Sequence, residues 1–160
     1  MGETIHIRPA RQEDLGVIAA LWRELDWLPS LRGLPLERLQ ETMAQRLAQC
    51  RASGGHVVLV AQDEGGGVLG YAAMHYLPYL MLPGPEAYVS ELFVTAVARG
   101  RGVGQRLLSR LEELARDQGC ARLMLINGRD RESYAREFYK KRGWQERPVI
   151  ANFVRNLMEF

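Results

Sequence analysis

Ala87-Tyr88-Val89-Ser90-Glu91-Leu92-Phe93-Val94-Thr95 is followed, after three residues, by Arg99-Gly100-Arg101-Gly102-Val103-Gly104, and the order of these two stretches decides the fold. The first is rich in β-branched and aromatic residues and reads as a strand. The second is a glycine turn that opens a helix. Behind it Leu107, Leu108, Leu111, Leu114 and Ala115 recur at helical spacing as far as Gly119, which suits a C-terminal cap. Leu123 to Ile126 then supplies a short buried strand. Strand, turn, helix and strand in that order make a βαβ unit, so its two strands should be parallel neighbours.

Upstream of this unit, Ile5, Ile7 and Pro9 open a short strand. Leu15, Ile18, Trp22 and Leu25 then mark an amphipathic helix, and Leu36, Leu39, Met43 and Leu47 mark a second one beyond the Pro/Gly-bearing linker 26–35. His56 to Ala61 reads as a strand, with Asp63-Glu64-Gly65-Gly66-Gly67 as a hairpin turn into an antiparallel partner from Val68 to Tyr79. Downstream, Ser133 to Arg142 predicts a shorter helix stopped by Gly143, and Trp144 to Met158 predicts one or two closing strands. The expected architecture is α/β: a mixed, mostly antiparallel central sheet carrying one parallel βαβ unit, flanked by about four helices.

The chain has 160 residues, 47% hydrophobic and 25% charged, which fits one globular domain spanning 1–160 and excludes disordered, collagen-like and coiled-coil classes. Cys50 and Cys120 stand far apart, outside any CxxC or Cys/His cluster, so neither a metal site nor a disulfide framework is expected. The first residues lack the basic and apolar runs of a signal peptide, and no run approaches ~18 uninterrupted apolar residues. A cytoplasmic protein without a membrane partner is the expectation. Net charge is only +2, but Arg99, Arg101, Arg106 and Arg110 fall within 96–111 with no acid among them. That stretch suits an anion.

Glycines at 100, 102 and 104 ahead of a helix leave backbone N–H groups pointing outward at the positive end of the helix dipole, an arrangement that binds phosphate. The dinucleotide fingerprint GxGxxG fails because position 105 is Gln105, and no GxxxxGK is followed by Ser or Thr anywhere. A tight turn with solvated arginines is the alternative reading.

Arg99-x-x-Gly102-x-Gly104, behind its strand and ahead of its helix, resembles the Gln/Arg-x-x-Gly-x-Gly/Ala motif of the GNAT N-acetyltransferase superfamily. Ala135-x-x-Phe138-Tyr139-x-x-x-Gly143-Trp144 resembles that family's fourth-helix signature. The resemblance implies acetyl-CoA as acetyl donor, with its pyrophosphate on the backbone amides of Gly100, Arg101, Gly102, Val103, Gly104 and Gln105 beside Arg99. It further implies a fourth strand that bulges and splays from the fifth, with Phe93 and Val94 lining the pantetheine slot and the Val94 N–H serving as oxyanion donor. The family often has Asn where this chain has Glu132, and Asn127 is the nearest substitute.

The same resemblance makes Glu91 the general base and Tyr139 the proton donor to the CoA sulfur. Read without it, Glu91 is a strand-edge surface residue and Tyr139 a core aromatic. A tyrosine of pKa about 10 donating to a thiolate of about 8.5 works uphill by roughly 2 kcal/mol, so the proton should move as the C–S bond breaks. His75 is the alternative base. Trp22, Asp26, Trp27 and Leu31 are candidates for the acceptor wall, as are Met74, Tyr76 and Tyr79, although for Trp22 the buried stripe is the simpler reading. Direct attack by a primary amine of a small molecule or peptide follows, with no covalent enzyme intermediate. A noncatalytic acyl-CoA-binding module is the main rival, and a nucleic-acid binder ranks last for want of a reading motif. A homodimer is left open.

Overall fold

The computed structural model describes residues 4–25 and 32–157. The chain divides into two compact units, the first ending at Leu125 and the second beginning at Ile126. In the first, β1 (His6–Pro9), α1 (Leu15–Arg23), α2 (Leu36–Ser53), β2 (His56–Gln62), β3 (Val68–Leu77), β4 (Glu86–Val94), α3 (Val103–Asp117) and β5 (Arg122–Leu125) follow in order. The strands form one sheet in the order β1-β2-β3-β4-β5, antiparallel except for the parallel pair β4–β5. The βαβ unit and the mixed sheet are as the sequence predicts.

Both faces of the sheet are buried. Tyr71 and Val60, paired across β3 and β2, join Ile18, Leu39, Met43 and Leu47 of α1 and α2 on one face. Strand residues alternate, so Ala72 and Met74 belong to the other face, and both are wholly buried. There α3 packs, with Val103, Leu107, Leu108, Leu111 and Ala115 at most 1% exposed. Burying each of those leucines stabilises the fold by roughly 1.5–3 kcal/mol. Met74, a candidate for the acceptor wall, is therefore core. The helix ends as expected at Gly119, whose left-handed backbone lets its N–H reach Arg116 O at 2.9 Å and that of Cys120 reach Ala115 O at 2.9 Å.

In the second unit the expected helix over 133–142 is broken. A single turn, α4 (Glu132–Ala135), is closed by Glu137 at φ 55°, with Glu137 N–H on Tyr134 O and Phe138 N–H on Ser133 O, both at 2.9 Å. That pattern satisfies the last carbonyls and turns the chain out of the helix. A 3₁₀ turn at Lys140–Arg142 follows and ends at Gly143. The closing strands expected from Trp144 onward do not form among residues 144–157. Val149, Ile150, Phe153, Val154 and Leu157 all lie exposed. Strand propensity expresses a fit to a half-buried sheet surface, and this stretch pairs with no strand among the described residues.

Candidate functional site

A single extra residue in β4 sets the geometry. Ala73 pairs with Glu91 and Met74 with Val89, so Ser90 is inserted as a bulge. Without it Glu91 would share a face with Val89 by simple alternation. With it, Val89 lies opposite Met74 on the α3 face, while Glu91 and Phe93 turn to the face of Tyr71. The Phe93 and Tyr71 rings stand 5.7 Å apart there. The Tyr71 hydroxyl donates to Glu91 Oε2 at 2.7 Å and accepts from Trp22 Nε1 of α1. Burial pushes the Glu91 carboxyl above its ordinary value, and the Tyr71 bond pulls against that shift.

The register between β4 and β5 ends at Val89 and Leu125, while β4 runs on to Val94. β5 itself ends there, so the last residues of β4 run on beyond it. Thr95 N–H bonds to Leu69 O of β3 at 2.9 Å, and successive N–H groups of a strand alternate sides, so that of Val94 points away from β3.

Beyond Thr95 a 3₁₀ turn (Ala96–Ala98) leads to the glycine turn. Gly100 and Gly102 have φ of +79° and +77°, a region where L side chains are strained, and a Cβ added at either would meet no protein atom within 4 Å. Backbone conformation, not crowding, demands glycine here. The first bond of helical type runs from Arg106 N–H to Gly102 O at 3.1 Å, so the N–H groups of Val103 and Gly104 ahead of it lack an intrahelical acceptor. The Val103 side chain is buried and pins the turn to the core. Beside it a groove of about 500 Å³ is lined by Arg101, Gly102, Gln105, Arg106, Ser109 and Arg110, with Ile7 and Glu113. Arg110 pairs with Glu113 at 2.8 Å, which removes one of the four arginine charges from the cationic stretch. Backbone amides in a glycine cradle, cationic side chains and a strand that runs on beyond its parallel neighbour suit a phosphate-bearing ligand with an amide-containing arm.

His75 is half-buried, with Nε2 2.7 Å from Ser90 Oγ and its ring edge-on to His56 at 4.5 Å. Burial, then the neighbouring His56, lowers its pKa. In the second unit Tyr139 stands against Phe138 and Trp144 at ring distances of 5.0 and 5.9 Å, and burial pushes its hydroxyl pKa up. Asn127 accepts from Ser133 Oγ at 3.0 Å, and Glu132 lies exposed in α4. Tyr79 is largely exposed. Asp26, Trp27 and Leu31 lie outside the described residues. Tyr71, not among the expected site residues, is the group the sequence reading missed; the signal for it was a strand tyrosine whose hydroxyl, once buried, must find a partner.

The chain matches the Acetyltransferase (GNAT) family over residues 19–144. It belongs to that family and is an N-acetyltransferase. It is 32% identical over 128 residues to glucosamine 6-phosphate N-acetyltransferase 1 of Oryza sativa subsp. japonica, covering 78% of this chain and 73% of that protein. Thialysine N-epsilon-acetyltransferase of Bos taurus is 29% identical over 154 residues, covering 89% and 85%. The fold is also that of a solved transcriptional regulator from Bacillus halodurans C-125, with a TM-score of 0.83 at 21% identity over 96% of this chain and 100% of that one. Among the described residues no helix is long and apolar enough to cross a membrane.

Proposed function

We propose that the protein moves an acetyl group from acetyl-CoA to a primary amine of a small molecule by direct attack in a ternary complex, the whole chain acting as one domain. The observation that carries this reading is the bulge at Ser90, which turns a half-buried carboxylate, Glu91, onto the face of Tyr71 where β4 runs on beyond β5. Acetyl-CoA supplies an acyl group activated as a thioester. The glycine cradle, the α3 N-terminus and Arg101 fit its phosphates, and the part of β4 that runs on beyond β5 fits its pantetheine amides. The two relatives named above act, by their names, on amino groups of small molecules, which supports the acceptor class.

Glu91 takes the proton from the acceptor ammonium, and its raised pKa brings it closer to the working pH than a solvated carboxylate would be. His75 is the weaker candidate, since Ser90 already engages its Nε2. The Val94 N–H donates to the carbonyl oxygen as negative charge develops there. Tyr139 delivers a proton to the departing sulfur; burial keeps its hydroxyl protonated across the neutral range, so the transfer accompanies bond cleavage.

The test is thiol release from acetyl-CoA across a panel of primary amines that includes glucosamine 6-phosphate and thialysine, with the acetylated product identified by mass spectrometry. One amine accepted well above buffer-catalysed hydrolysis is expected. Hydrolysis without any N-acetylated product would overturn the reading.

A further inference from the structure

Tyr71 is 2% exposed, and its hydroxyl sits between two side chains from different elements. Trp22 Nε1 of α1 donates to its oxygen, and its own proton lies on Glu91 Oε2 of β4 at 2.7 Å. The chemistry of the first member orders this chain. An indole N–H can only donate, so it must point into the tyrosine oxygen, and the single hydroxyl proton is left for the carboxylate. Donation into the hydroxyl also polarises it and makes it a better donor in turn. Among the described residues only one oxygen of Glu91, Oε2, is engaged in this way.

We infer that Tyr71, oriented by Trp22, is a positioning residue that fixes Oε2 of Glu91 and leaves Oε1 aimed at the acceptor amine. The inference rests on the reading of Glu91 as base, and it adds a determinant of when that base is ionised. The titratable groups that feel the Glu91 charge are Tyr71 from β3 and Cys50 from α2, and burial followed by that charge raises both. Neither carries charge near neutrality, so the tyrosine hydrogen bond is what opposes the burial of the carboxylate.

Two variants of the full-length chain separate this from simple packing. Tyr71→Phe keeps the ring against Phe93 and removes the hydroxyl; Trp22→Phe keeps the hydroxyl and removes its orienting donor. The Glu91 carboxyl is titrated by carbon-13 NMR without ligands, and kcat/KM for an accepted amine is followed against pH. Losing a hydrogen bond to a carboxylate should raise its pKa by about one unit or more. Tyr71→Phe is expected to move the titration and the acidic limb upward together, lowering kcat more than it changes KM, and Trp22→Phe to do the same by less. A Glu91 titration that stays put in both variants, with or without lost stability, would show that Tyr71 only packs and would overturn the inference. If Tyr71→Phe does not fold, the Trp22→Phe titration decides alone. A titration that moves while the acidic limb does not would instead remove Glu91 from the base role.

Discussion

Residues 4–125 hold every buried side chain among those described, whereas residues 126–157 contain none. The first unit is kept by apolar layers on both faces of a sheet. The second is kept by local bonds: the left-handed closure at Glu137, the acceptor oxygens of Glu146 for Lys140, Tyr134 and Arg129, and the Arg142 guanidinium 4.0 Å over the Phe138 ring. A surface network of that kind contributes little to stability beside a buried core. The candidate base therefore stands in the part whose geometry is most strongly over-determined, and the candidate acid in a part ordered by short-range contacts.

The largest expected effect is on Tyr139, because a role in proton transfer would make the sparsely packed unit decisive for rate. Tyr139→Phe should lower turnover by ~10²–10⁴ while acetyl-CoA affinity, measured by calorimetry, stays close to wild type. Turnover within about threefold of wild type would leave Tyr139 as packing alone.

Next in size is a pair of truncations that probes the contrast directly. Leu111→Ala, in the wholly buried stripe of α3, should cost about 2–5 kcal/mol in urea unfolding. Phe153→Ala, at an exposed position, should stay within about 0.5 kcal/mol. Similar costs at the two positions would mean that the second unit has a core of its own.

A smaller effect is expected at the glycine turn. Gly102→Val forces a branched side chain onto a φ of +77° and fills the space in front of the cradle, so CoA affinity should fall at least tenfold. Arg101→Ala should weaken binding less, and mainly at low salt. Unchanged affinity in Gly102→Val would move the phosphate site elsewhere.

What could be read from the sequence follows the same division. The helical period of Leu107, Leu108 and Leu111 anticipates α3, whose one face is buried, and the β-branched run from His56 to Ala61 with the glycine turn behind it anticipates the β2–β3 hairpin. The turn at Gly100 and Gly102 was equally legible, since only glycine occupies that conformation readily. The Val149–Leu157 region has strand-like residues but pairs with no strand among the described residues, and the chain leaves α4 through Glu137, a residue type that gives no warning of a left-handed backbone. Glu91 was legible as a candidate only through resemblance; its orientation depends on a bulge that no residue announces. Its link to Tyr71 and Trp22 joins three elements far apart in the chain.

The pH dependence of kcat/KM for wild type, Glu91→Gln and His75→Gln, on one accepted amine of known pKa, tests the central assignment most directly. Burial raises the Glu91 pKa, so wild-type activity should fall as pH drops through a limb displaced upward from the ordinary glutamate value. Glu91→Gln should lose ~10²–10⁴ in rate at neutral pH, lose that limb, and recover partly as alkali deprotonates the amine. His75→Gln should keep the wild-type profile. An unaltered profile in Glu91→Gln, or loss of the limb in His75→Gln instead, would contradict the assignment of Glu91 as base.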